Sequence, residues 1–258
     1  MKAKLKTTMN TGAMRIKPNV PMAVQAAELL RNRLRRDYVN GGRLPGENVI
    51  ASELGVSRGT VRQALAILER EGVILRQQGT GTFANPNVLG INARVDMAYE
   101  FTQLIEAAGF EAAIDTVEVR REAASADLAQ RLGLATGDPV LTIHKIFLAS
   151  GQRAIYVVEQ LPTALVQSEY AESELTHPIF DFLDQRCHQR VDYIVSEIVP
   201  CVADQGLAEY LGIEPGQPIL KFSEVFYSTS NAPLVLATVY FRDPLIRFHA
   251  LRQLTTVT

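Results

Sequence analysis

The sequence predicts an α+β protein of two modules: an N-terminal winged helix-turn-helix over residues 22–84, then an antiparallel sheet with helices over residues 94–258. Three observations lead there. Two helical runs separated by a glycine turn are followed by a glycine-tipped hairpin. The charge divides: up to Ala84 there are 14 Lys/Arg against 6 Asp/Glu, net +8, and beyond it 12 against 22, net -10. The acidic part contains an internal repeat, LAQRLGLATGDPVL (128–141) and LAEYLGIEPGQPIL (207–220), at an offset of 79.

Residues 1–21, with Lys2, Lys4, Lys6, Arg15 and Lys17, read as a flexible basic arm. From Met22 to Tyr38, apolar Met22, Ala26, Leu29, Leu30, Leu34 and Tyr38 recur at helical spacing, and Gly41-Gly42 ends the run. After LPGE a short helix spans about Glu47 to Leu54, broken by Gly55. Ser57 is a good N-cap for a second helix, because its hydroxyl can accept from the free amides of the first turn; Gly72 is a natural stop. Val61, Leu65 and Leu68 form the core stripe of that helix, while Arg58, Thr60, Arg62 and Gln63 start the other face. Residues 73–83 then read as a hairpin with QQGTGT at its tip.

In a winged helix the second helix of the pair enters the major groove. Arg58 and Arg62 then face DNA, since an arginine fork suits guanine N7 and O6 or two phosphate oxygens. Ser57 and Thr60 suit a phosphate, and Gly79 and Gly81 let the wing tip approach the backbone closely.

The stretch RLPGENVIASELGVSRGTVRQALAILEREGVILRQQGTGTF resembles the DNA-binding domain of the GntR family of bacterial regulators. That family usually reads leucine-proline-serine-glutamate-arginine, then VSRxTVRxAL and a GxGTF wing. The resemblance assigns Arg58, Thr60, Arg62 and Gly81 to the interface. Gly46 replaces the usual serine, and Asn48 stands where an arginine commonly contacts DNA. Asn48 is carried over as an adenine or phosphate contact, since Asn can pair with adenine but cannot fork onto guanine, and the family's usual base preference does not carry over there.

Residues 85–93, with Pro, Gly and Asn and few periodic apolar positions, read as a linker. Each copy of the repeat is a short helix ending at Gly, a Gly-x-Pro turn and a strand. A strand precedes each copy (Thr116 to Arg120; Tyr193 to Val199), and hairpin runs follow (141–148 with 154–161; 220–227 with 234–241). Strand, helix, hairpin, given twice, predicts about six antiparallel strands with helices on one side.

This module resembles the UTRA effector-binding domain of the HutC subfamily of GntR regulators, whose fold is similar to chorismate lyase. EFTQLIEAAGF, LGxxxGxPxL, Gln152-Arg153 before a strand ending Glu159-Gln-Leu-Pro162, and YFRDPLIRF carry the likeness. It implies a small metabolite in a cleft. Many relatives hold an anion there with arginine-x-arginine, where this chain has Lys145 and Phe147. Thr102, Glu159 and Arg242 match motif positions and join the candidate site, together with Tyr193 and Tyr227. With one guanidinium gone and Phe147 added, the expected effector is a small carboxylate or amino-acid-like compound. Its anionic end would sit on Lys145 or Arg242 and its amine on Glu159.

The resemblance further implies a homodimer on a near-palindromic double-stranded operator, more often a repressor, with no catalytic residue, cofactor or metal. A hydrophobic content of 47% with 21% charge fits a globular chain. No run of about eighteen apolar residues and no apolar h-region is present, so a cytoplasmic, non-membrane protein is expected. Cys187 and Cys201 offer neither a disulfide framework nor metal-ligand spacing. Two other readings compete: an enzyme of lyase-like fold fused to a DNA-binding domain, and an architectural DNA-binding protein insensitive to metabolites.

Overall fold

A computed structural model describes residues 20–91 and 93–252. All five basic residues of the expected N-terminal arm lie outside the described residues. The chain divides into two compact units, meeting in sequence between Ile91 and residue 92.

In the first unit α1 (Met22–Asp37) packs against α3 (Arg58–Arg70), with α2 (Glu47–Leu54) also against α3. The buried face of α1 is Ala23, Ala26, Ala27, Leu30 and Leu34. Met22, expected inside, is exposed. Gly55 ends α2 at a φ of 65°, a left-handed conformation that costs a residue with a Cβ about 1 kcal/mol or more. Salt bridges tie the helices together: Arg31 to Glu71 at 2.8 Å and Arg33 to Glu53 at 2.5 Å. Strands β1 (Gly42–Arg43), β2 (Ile74–Gln77) and β3 (Gly81–Ala84) form the wing, in the order β1-β3-β2.

Residues 85–93, expected as a linker, begin with a helical turn, α4 (Pro86–Leu89), whose Val88 and Leu89 are buried. Asn85 caps it, its Oδ1 accepting from the Asn87 amide at 3.2 Å. The same side chain donates to the carbonyl of Gly72 at 2.9 Å, and the Asn85 backbone amide donates to Val73 at 2.9 Å. An Asn cap with Pro at the first helical position is a local helix-start signal within a stretch that otherwise reads as loop.

In the second unit, helix α5 (Phe101–Ala107) precedes β4 (Ala112–Ala123), α6 (Ala126–Leu132), β5 (Pro139–Ala149) and β6 (Gln152–Pro162). Then follow α7 (Ile179–Arg186), β7 (Val191–Val202), α8 (Gln205–Leu211), β8 (Pro218–Ser228) and β9 (Pro233–Phe241). The six strands make one antiparallel sheet, β4-β5-β6-β9-β8-β7. Its order is a palindrome of the repeat, with β4, β5 and β6 answered by β7, β8 and β9, and the two copies joined at β6·β9. Gly133 and Gly212 end α6 and α8 in the same left-handed conformation, as the repeat requires.

The helices are not confined to one side. Leu104 and Ile105 of α5 and Ile179, Phe182 and Leu183 of α7 pack with Ile143, Phe147, Val157 and Val239 on one face. Leu128 and Leu132 of α6 and Ala208 and Leu211 of α8 cover Val140, Leu236, Ile146 and Tyr156 on the other. Successive strand residues point to opposite faces, so a strand covered on both sides is apolar at nearly every position. The run PVLTIHKIFLA of β5, buried or half-buried at all but its first residue, has that character.

Candidate nucleic-acid interface and effector cavity

Ser57 caps α3, its Oγ accepting from the Thr60 amide at 3.1 Å and lying 2.9 Å from Thr60 Oγ1. The serine and threonine therefore form one polar unit at the helix start. Arg58 points back to α2, where its Nε donates to Glu47 at 2.8 Å. Arg62 and Gln63 are exposed one turn on, and among the described residues no carboxylate lies within 4 Å of Arg62. Asn48 is exposed on the first turn of α2. A surface recess between α3 and the wing is lined by Gly59, Arg62, Gln63, Ala66 and Arg76. Arg76, on β2, was not among the expected contacts. A lone arginine in a hairpin carries no motif of its own, and only its position on the wing strand beside α3 singles it out.

The wing glycines differ in what requires them. Gly79 at the tip has a φ of 77° with open space around it. At Gly81, φ is 130° and a Cβ would come within 2.8 Å of Arg43 Nε. Gly81 thus seats Arg43 against the hairpin.

The second unit holds a cavity between its sheet and the segment that includes α5, with Pro178, Ile179 and Phe180 at the start of α7 on another side. Its volume open to the centre of a water molecule is about 40 Å³. Phenylalanines dominate the walls: Phe101 meets Phe147 edge-on at 5.2 Å, Phe180 stacks on Phe226 at 5.5 Å, and Phe222 touches Phe241 at 4.9 Å. Among the described residues the ionisable lining consists of Tyr99, Glu100, Glu159 and Glu224, with no lysine, arginine or histidine.

Phe147 and Glu159 line the cavity. Lys145 stands behind it: only 1% exposed, its Nζ lies 2.9 Å from Glu159 Oε2 and donates to the His177 carbonyl at 2.8 Å. The ammonium is thereby committed inside the protein. That corrects the expectation that Lys145 receives an anionic end. Glu159 Oε2 has no hydrogen bond despite the ion pair, so it keeps acceptor capacity. Thr102 does not line the cavity; its hydroxyl and amide donate to Glu100, which caps α5.

Tyr193, Tyr227 and Arg242 are not brought to the cavity. Tyr193 and Tyr227 stack on each other at 4.9 Å, and Tyr227 packs beside α6 on the other face of the sheet. Arg242 follows cavity-lining Phe241 and turns the other way, its Nη1 donating to the Arg153 carbonyl at 3.4 Å. Strand alternation is the reason: each neighbours a residue that points inward.

Glu224 was missed. It is 9% exposed, accepts from Ser196 Oγ at 2.7 Å, and has no cation within 4 Å among the described residues. Desolvation in the apolar cavity pushes its carboxyl above the ordinary range, against a smaller opposing effect of the Ser196 hydrogen bond. The available signal was an acid at an inward position of the apolar run KFSEVFYS.

A winged helix presenting an unpaired arginine, followed by a separate unit with an enclosed aromatic cavity, defines a DNA-binding regulator with a sensor domain. Residues 22–84 match the bacterial regulatory proteins of the gntR family, and residues 107–245 match the UTRA domain. The chain belongs to the GntR family of transcriptional regulators, in its UTRA-containing, HutC-type branch. It is 27% identical over 95% of its length to HTH-type transcriptional regulator Rv0792c of Mycobacterium tuberculosis (strain ATCC 25618 / H37Rv), of which 91% is covered. It is 25% identical over 89% of its length to HTH-type transcriptional repressor NagR of Bacillus subtilis (strain 168), of which 93% is covered. Its fold is like that of possible transcriptional regulator YydK from Bacillus subtilis, with a TM-score of 0.72 and 18% identity, covering 91% of this chain and all of that one.

Proposed function

We propose that the protein is a homodimeric repressor that binds a near-palindromic operator and is released by a small metabolite in the UTRA cavity. The exposed, unpaired Arg62 on α3 carries the DNA side of this reading. An exposed guanidinium without a carboxylate partner is free to fork onto a base edge or two phosphates. Ser57, Thr60, Gln63, Asn48 and the wing at Gly79 and Gly81 surround it as further contacts, with Arg58 freed from Glu47 when a phosphate competes. The name of NagR as a repressor supports the sign of the response.

The dimer reading rests on edge strand β7, where Tyr193, Val195, Ile198 and Val202 are exposed apolar residues. The other edge, β4, exposes Asp115, Arg120, Arg121 and Glu122. Charge on an edge discourages pairing; β7 carries only Asp192 and Glu197 among its exposed apolar residues, a sparser charge than β4, and so favours a second copy. Among the described residues no helix is long and apolar enough to cross a membrane, and an operator-binding protein works where the chromosome is.

The test is selection of duplexes from random DNA by the full chain, followed by titration of the enriched site and light scattering of the free protein. A two-fold-related site bound by a dimer is expected. A monomer on an asymmetric site, or affinity that no small molecule changes, overturns the proposal. Turnover of a metabolite would instead favour the enzyme reading.

A further inference from the structure

We propose that the effector carries an organic cation, an amine or quaternary ammonium group, seated over Ala237 between Glu159 and Glu224 and enclosed by phenylalanine rings. This rests on the reading of the cavity as the effector site. The register sets Glu159, Ala237, Glu224 and Ser196 in one cross-strand row, on β6, β9, β8 and β7. At ordinary strand spacing the two acidic residues stand about 10 Å apart, backbone to backbone, with only a methyl group between them. That is the width of a small cationic group held between two carboxylates.

The charge balance points the same way. In the first copy of the repeat, Lys145 on β5 is neutralised by Glu159 on β6. Glu224 is the equivalent of Lys145 in the second copy, and the position equivalent to Glu159 is Val239, since Ile143 pairs with Glu159 as Phe222 pairs with Val239. Glu224 is therefore a buried acid whose counter-charge is missing from its own copy. Burying a carboxylate without a partner is expensive, and a ligand cation supplies what the fold leaves out. An anionic ligand would meet Glu100 and the uncompensated Glu224, while Lys145 is already committed to Glu159. Phe180, Phe222 and Phe226 line the cavity, and a phenylalanine face favours a desolvated cation over a neutral group of the same shape.

The experiment is calorimetry on the full-length chain with choline and butylamine as cations. The controls are 3,3-dimethylbutan-1-ol as the neutral isostere of choline, with acetate and glucose 6-phosphate as anions. Cations are expected to bind at least roughly tenfold more tightly than the neutral isostere. Glu224→Gln should abolish that preference while its melting temperature in the absence of ligand is unchanged or higher, which separates lost binding from lost folding. Phe226→Leu should reduce cation affinity more than isostere affinity. Stronger binding by the isostere or an anion, unchanged cation binding in Glu224→Gln, or no cation binding up to roughly 100 mM overturns the inference. Loss of operator affinity on adding an anion alone would sink the cation while sparing the regulator. Operator affinity indifferent to every compound would sink the regulator reading itself.

Discussion

Lys145 and Glu224 occupy the same position in the two copies of the repeat, 79 residues apart, yet one is closed in an ion pair with Glu159 and the other faces the cavity without a counter-ion. The two positions consequently respond in opposite ways to loss of charge.

Lys145→Met leaves Glu159, 3% exposed, without its counter-charge and frees the His177 carbonyl. A loss of about 3–5 kcal/mol is expected in urea unfolding. Adding Glu159→Gln should recover part of it, because the double variant carries no unpaired buried charge.

Glu224→Gln should do the reverse at neutral pH. The native carboxyl is pushed up by desolvation, so the folded state binds protons that the unfolded state has released. Stability therefore falls as pH rises from the ordinary carboxylate range through the raised native value, and the loss is complete above it. The variant should be more stable than the parent at neutral pH. Its advantage should vanish at pH below the ordinary carboxylate range, where both states of the parent are protonated. A constant difference across that range in thermal melts would contradict this assignment.

Arg62→Ala should weaken operator binding by roughly 1–3 kcal/mol per half-site and relax preference at one base pair. Arg58→Ala, which also releases Glu47, should weaken all sequences more evenly, as a phosphate contact does. Fluorescence anisotropy against single-base operator variants distinguishes the two.

Gly81→Ala places a Cβ against Arg43 at a φ that L-residues rarely adopt and should cost about 1–3 kcal/mol. Gly79→Ala, with open space at its tip, should cost only about 1 kcal/mol. Chemical denaturation gives both values, and operator affinity should fall more for Gly81→Ala.

Val195→Lys puts charge on the apolar edge strand β7 and should shift the protein from dimer to monomer in light scattering. An unchanged dimer would place the interface elsewhere.

Much of this was legible in the sequence because it is written locally. The caps at Ser57 and Gly55, the strand-breaking turns and the doubled LGxxxGxPxL segment each decide the conformation of a few neighbours. What was not legible depends on which face a strand residue takes and on partners far along the chain. Tyr227 and Arg242 share chemistry with effector contacts but lie one residue out of phase with Phe226 and Phe241. Lys145 looks available until Glu159 and His177 are brought to it. Glu224 looks like any acid in a strand until the ring-lined cavity closes over it.

Asn85 makes the exit from the DNA-binding unit a rigid joint. Its amide holds the Val73 carbonyl, its side chain holds the Gly72 carbonyl, and its Oδ1 starts the turn at Pro86. Gly72 and Val73 close the end of α3, so the base of that helix and the first residues beyond the wing share one anchor. Three hydrogen bonds at one residue therefore link the chain at Pro86 to the foot of the helix that bears Arg62.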